Sequence, residues 1–109
     1  MYDALVTDLK SIAGVTIQEY EFKTRPSGNH GTVQMDFEAE VDNGDDSRQD
    51  RAFEGSLDLF TRKKEMMIVA AVETVLEIHC SGSWYLNSEQ YERETGLIHR
   101  EFVFQLEGR

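Results

Sequence analysis

The residue types best suited to chemistry are few and scattered: His30, His79, His99, Cys80 and a run of carboxylates. A zinc site needs Cys and His ligands at short fixed intervals, such as Cys-x-x-Cys or His-Glu-x-x-His, and neither spacing occurs. Cys80 follows His79 directly, but adjacent residues on a helix diverge by about 100°, so the two cannot work as nucleophile and base. His79 reads as a helix C-terminal residue favourable to the dipole, and Cys80 as a partly buried thiol. His30 falls in a glycine-containing loop and His99 in a strand. Gly28, Gly31 and Gly44 belong to unrelated turns, so no phosphate-cradling loop is formed. No catalytic residue, metal or cofactor is expected.

The carboxylates carry a pattern. Asp36, Glu38 and Glu40 alternate along one strand, which places neighbours about 6.6–6.8 Å apart on one face. Acid–base catalysis needs carboxylates whose environments separate their pKa values, and a shared solvent face makes these equivalent. Their spacing approaches that of successive phosphates on a single nucleic-acid strand. Such a stripe suits either mimicry of DNA or the lining of a channel that DNA traverses.

The elements that must position these residues follow from periodicity. At 109 residues the chain is read as a single domain, residues 1–109. Residues 2–13 place Tyr2, Leu5, Val6, Leu9, Ile12 and Ala13 on one helical stripe, with Gly14 as the stop. Residues 15–22 read as a strand of impure alternation, and 23–31, with the one proline, as a loop. Val33, Met35, Phe37, Ala39 and Val41 alternate with polar residues, predicting a strand with one face on a core. Residues 42–51 break the periodicity and are expected to form a mobile acidic hairpin connection. A strand over 52–61, a helix over 64–79 and a closing hairpin complete the order α-β-β-β-α-β-β. The expected fold is α+β, a mainly antiparallel five-stranded sheet with two helices packed on it.

Charge restricts partners. Twenty-one acidic against eleven basic residues give a net charge of −10, which opposes binding to phosphates and to anionic membranes. No apolar run reaches the roughly 18–20 residues of a membrane span. The N-terminus shows no basic-then-apolar leader, and a lone cysteine builds no disulfide framework, so a cytosolic setting is expected.

Residues 55–62 read as a strand entering the second helix. Trp84, Tyr85 and Leu86, with Ser88, Tyr91 and Glu92, then residues 94–99 running on to Leu106, read as a hairpin turning at Thr95 and Gly96. In these residues and in element order the chain resembles the tail-terminator (tail-completion, minor tail) proteins of long-tailed bacteriophages and prophages. The resemblance implies a non-enzymatic virion protein that forms a ring, caps the tail tube and joins it to the head. Its implied partners are further copies of itself (a hexamer), the tail-tube protein and a head-completion protein, with no membrane and no sequence-specific nucleic acid. Its implied location is the host cytoplasm during assembly and then the virion tail. Subunit or tube contacts are expected at Asp42, Asp45, Asp46, Arg48, Asp50, Arg51 and Arg62, with Asp36, Glu38 and Glu40 facing the channel. Arg48, Arg51, Arg62, Lys63 and Lys64 are expected to pair with acidic residues of a neighbour, because six copies would gather about 60 negative charges. The alternatives are an acidic interaction module, such as a DNA mimic or an inhibitor of a basic enzyme, and a head–tail connector subunit. A small enzyme or ligand-binding domain would need a concave pocket of convergent polar groups.

Overall fold

A computed structural model describes the backbone of residues 2–38 and 52–107 and the side chains of 2–36 and 53–106. Helix α1 (Tyr2–Lys10) buries Leu5, Val6 and Leu9, the stripe that its spacing dictates. It ends at Lys10 and not at Ala13. The Ser11 N–H and hydroxyl both turn back to the Asp8 carbonyl, at 3.2 and 2.8 Å, and Gly14 at φ 88° completes the exit.

Strand β1 (Thr16–Glu19) is shorter than the sequence pattern predicts. Tyr20 takes φ 67°, and the Glu21 N–H donates to the Glu19 carbonyl at 2.8 Å. That combination closes a γ-turn of the strained, positive-φ kind. It accounts for the impure alternation, since Tyr20 and Phe22 lie beyond the strand. Strands β2 (His30–Glu38) and β3 (Ala52–Thr61) follow, then helix α2 (Met66–Cys80), β4 (Trp84–Glu92) and β5 (Leu97–Glu107). His30 and Gly31, expected in the loop, begin β2.

The fold is α+β, with one five-stranded mixed sheet ordered β1-β2-β3-β5-β4 and two helices. The expectation of a mainly antiparallel sheet needs correction at its first pair. Strands β2–β3, β3–β5 and β4–β5 run antiparallel, but β1 pairs parallel with β2. A parallel pair requires a crossover back to the starting end, and residues 20–29 supply a connection long enough to make it. In space β5, not β4, lies beside β3.

Within β2 the register shifts between Met35 and Phe37. The alternation expected to run unbroken from Val33 therefore slips by one residue at Asp36, the signature of a β-bulge. On one face of the sheet Val33, Leu57, Leu59, Phe102 and Phe104 pack with Leu5, Leu9, Ile68, Val72 and Leu76 of the helices. Burying each of these side chains contributes about 1.5–3 kcal/mol. Gly55 is required by this packing: a Cβ there would lie 2.6 Å from both the Gln34 carbonyl oxygen and Phe104 Cζ.

Candidate functional site

The helix-free face of the sheet gathers the chemistry-bearing side chains. Cross-strand register sets His30, Phe60 and His99 in one row and Thr32, Asp58 and Glu101 in the next. Strand alternation puts them all opposite Leu57 and Leu59, hence away from the helices. The rings of His30 and Phe60 stack with centroids 4.7 Å apart, and those of Phe60 and His99 at 4.2 Å. Phe22 meets His30 edge-on at 5.6 Å.

The crossover loop, residues 20–29, is held over the end of this face by Arg25. Its Nε–H donates to His30 Nε2 at 3.1 Å, its Nη2 to Glu92 Oε1 at 2.7 Å, and its guanidinium lies 4.3 Å from the Phe60 centroid. A guanidinium only donates, so Nε2 is the bare nitrogen and Nδ1–H donates to the Gly28 carbonyl at 2.7 Å. His30 is thus a neutral imidazole, 1% exposed. Burial, followed by the repulsion of Arg25, pulls its pKa down against the opposing Gly28 carbonyl. Burial pulls Glu92 upward, but the Arg25 and Thr95 hydrogen bonds outweigh it and hold the carboxyl below its usual range. Between the loop and the sheet lies an open hollow of about 200 Å³, lined by Tyr20, Glu21, Phe22, Arg25, His30, Thr32 and Phe60.

The next row is acidic. Asp58 and Glu101 stand directly opposite each other, a like-charge cross-strand pair that is unfavourable by itself. His99 Nε2 lies 2.8 Å from Asp58 Oδ1, and Asn87 Nδ2 donates to Glu101 Oε1 at 2.9 Å. Asp36 is exposed at the edge of the bulge.

At the end of the sheet where β3 finishes, three loops converge. The Arg62 N–H donates to Asn29 Oδ1 at 2.9 Å, and the Lys63 Nζ sits 4.9 Å over the Tyr91 ring. Lys23, Arg62, Lys63, Lys64 and Arg93 are exposed there. Helix α2 begins at this corner without a side-chain cap and without an acidic residue in its first turn.

The remaining candidates serve the fold. His79 Nε2 lies 2.6 Å from Asp8 Oδ2 and so ties α2 to α1. Cys80 is buried, and burial, aided by Glu77, pushes its thiol up to about 11, which leaves it unreactive at neutral pH. Trp84 packs against the core and donates to Glu77 Oε1 at 2.8 Å, while Tyr91 is 53% exposed. Among the described residues no group of three or more His, Cys, Asp or Glu could hold a metal ion.

Of the expected contact residues, Asp42, Asp45, Asp46, Arg48, Asp50 and Arg51 lie outside the described residues, as does Glu40 of the acidic stripe. Glu38 pairs with Phe53 in the backbone register. Arg62 is exposed. It follows Thr61 at the far end of β3 from Ala52, roughly 30 Å away at about 3.3 Å per residue. Sequence reading missed Arg25, Asp58, Phe60 and Glu101 as members of one face. Alternation within β3 places Ser56, Asp58 and Phe60 together, but which strands flank them depends on pairing across the sheet. No protein-family model matches this sequence, and no curated protein matches it.

Proposed function

We propose that this chain is a structural protein of a long-tailed phage or prophage, a tail terminator that caps the tail tube and joins it to the head as a ring. The observation that carries the reading is where the resembling residues fall. Residues 55–62 form β3 and its exit into α2, and residues 84–99 form β4, its turn and the start of β5. The segments that suggested the family are thus consecutive pieces of one sheet-and-helix unit.

The turn itself is built from the expected residues. Gly96 takes φ 76°, its N–H donates to the Glu92 carbonyl at 2.9 Å, and the Thr95 hydroxyl donates to Glu92 Oε1 at 2.8 Å. In this reading copies of the chain bind one another, the tail-tube protein and a head-completion protein. They meet in the host cytoplasm and end in the virion tail. No reaction is carried out, and the three histidines act as struts: His30 under Arg25, His79 against Asp8, His99 against Asp58.

One observation favours a second reading, an acidic module that occupies the basic groove of a DNA-binding protein. Asp36, Asp58 and Glu101 present negative charge on the sheet's open face. The test is to add purified protein to isolated tail tubes and to a basic DNA-binding protein in parallel. Negative-stain images showing a cap at one tube end support the tail terminator. Bare tubes together with release of DNA from the basic protein support the mimic and overturn the first reading.

A further inference from the structure

The distribution of charge over the described residues is uneven. Six of the eleven Lys and Arg residues (Lys23, Arg25, Arg62, Lys63, Lys64 and Arg93) lie in the three converging loops, against Glu21, Glu65, Glu92 and Glu94. This corner is net positive on a chain of net charge −10. Arg25 is committed to Glu92 and Lys63 to the Tyr91 ring. Among the described residues, Arg62 and Lys64 form no ion pair. They also precede the N-terminus of α2, whose dipole repels cations. Among the described residues, the corner therefore presents positive charge that its surroundings do not neutralise.

The open face has the opposite excess. Asp58 and Glu101 oppose each other across β3 and β5, and exposed Asp36 lies further along the sheet. Two copies of a chain carrying −10 repel each other in most orientations. A contact that brings like surface to like surface would set cations on cations or carboxylates on carboxylates. Setting corner on open face is the attractive arrangement; made reciprocally about a two-fold axis it closes a dimer, and made once per pair, as a ring requires, it is heterologous. Heterologous contacts produce closed rings when the rotation closes and open chains when it does not.

We propose that copies of this chain associate head to tail, with Arg62, Lys63 and Lys64 of one copy seated on Asp36, Asp58 and Glu101 of the next. This rests on the ring reading for its head-to-tail direction and its closure; the corner-on-face contact itself rests on the charge distribution. Net repulsion reaches about 30 Å at 0.01 M salt but only about 8 Å at 0.15 M. The pairs at the interface are shorter than either distance, so association is strongest at intermediate ionic strength.

The experiment uses two full-length variants, K63E/K64E and D36K/E101K, each with one surface reversed and the other intact. Retained thermal unfolding transitions establish that they fold. At about 0.15 M salt, sedimentation should show wild-type oligomers, with each variant alone weakened at least about tenfold. Mixed in equal amounts, the two variants should regain association in alternating order, because the intact corner of one fits the intact face of the other and the two reversed surfaces also attract. Milder substitutions, K63Q/K64Q, should weaken association less and keep its direction. Oligomers that persist in either reversed variant, a mixture that stays monomeric, or a wild type that never associates would each overturn the contact, and a wild type that stops at a dimer would overturn its head-to-tail direction. Open chains of wild type together with association of the mixture would uphold the contact and count against the ring.

Discussion

At the scale of single residues, Gly55 and His30 decide the most. Gly55 lets β2 and Phe104 approach so closely that a methyl group would sit 2.6 Å from atoms of each. One of those atoms is backbone and the other belongs to a fully buried ring, so neither can yield cheaply. Gly55→Ala is expected to destabilise the protein by about 1–3 kcal/mol through overpacking, measured by denaturant unfolding. His30 gives a pH dependence of definite sign. Its pKa is lowered in the folded protein, chiefly by burial, so the unfolded chain binds a proton that the native state resists. The stabilisation is fully present above the unfolded value near 6.5 and is lost as pH falls from there through the lowered native pKa. Unfolding curves recorded between pH 7 and 5 should show this decline, and a His30→Gln variant should lack that component. An unchanged slope in the variant would place the proton uptake elsewhere.

At the scale of elements, the crossover between β1 and β2 is held at its end by Asn29, which donates to the Gly14 carbonyl and accepts from the Arg62 N–H, and along its length by Arg25. It contains a strained turn at Tyr20 and is fastened to the sheet through Arg25, which touches His30, Phe60 and Glu92. Arg25→Ala should free residues 21–27 while leaving Asn29, β3, β5 and α2 in place. Hydrogen exchange should rise in that segment alone. Protection lost evenly across the sheet would mean that the loop belongs to the core.

The same elements show what the sequence could and could not disclose. The buried stripe of α1, the alternation of β3 and the turn at Gly96 follow from local chemistry, and each is legible. The early end of β1 was not, because nothing in the residue type of Tyr20 announces a positive φ. The parallel pairing of β1 with β2 was equally hidden, since loop length permits a crossover without requiring one. The open face was half legible. Asp58 and Phe60 announce themselves as partners on one side of β3, but Arg25, His99 and Glu101 join them only through pairing between distant segments. The slip at Asp36 is a property of two strands together, and one strand's alternation does not contain it.

At the scale of the whole molecule, charge and exposed apolar surface govern what the chain can bind. Large apolar side chains remain open on α2 and β4: Met66 is 56% exposed, Met67 87%, Ile78 66%, Tyr85 55% and Leu86 42%. Helix α2 has Glu73 and Glu77 as its ionisable carboxylates and His79 near its end. Helices apolar on more than one side are ordinarily covered on more than one side. Truncating two of the most exposed, Met67→Ser and Ile78→Ser, should change monomer stability by less than about 0.5 kcal/mol while reducing any assembly that covers them. Equal loss of monomer stability would mark them as core residues instead.

The most direct test of the central claim, that this chain works by assembling into a ring, is its sedimentation mass across ionic strength. A chain of net charge −10 should remain monomeric at about 0.01 M salt, where repulsion extends about 30 Å, and should reach a single ring mass as salt is raised to about 0.15 M. Images of that species should show a central channel. A tight ring at the lowest salt that loosens as salt is added, or a monomer at every ionic strength even with tail-tube ends supplied, would contradict the account.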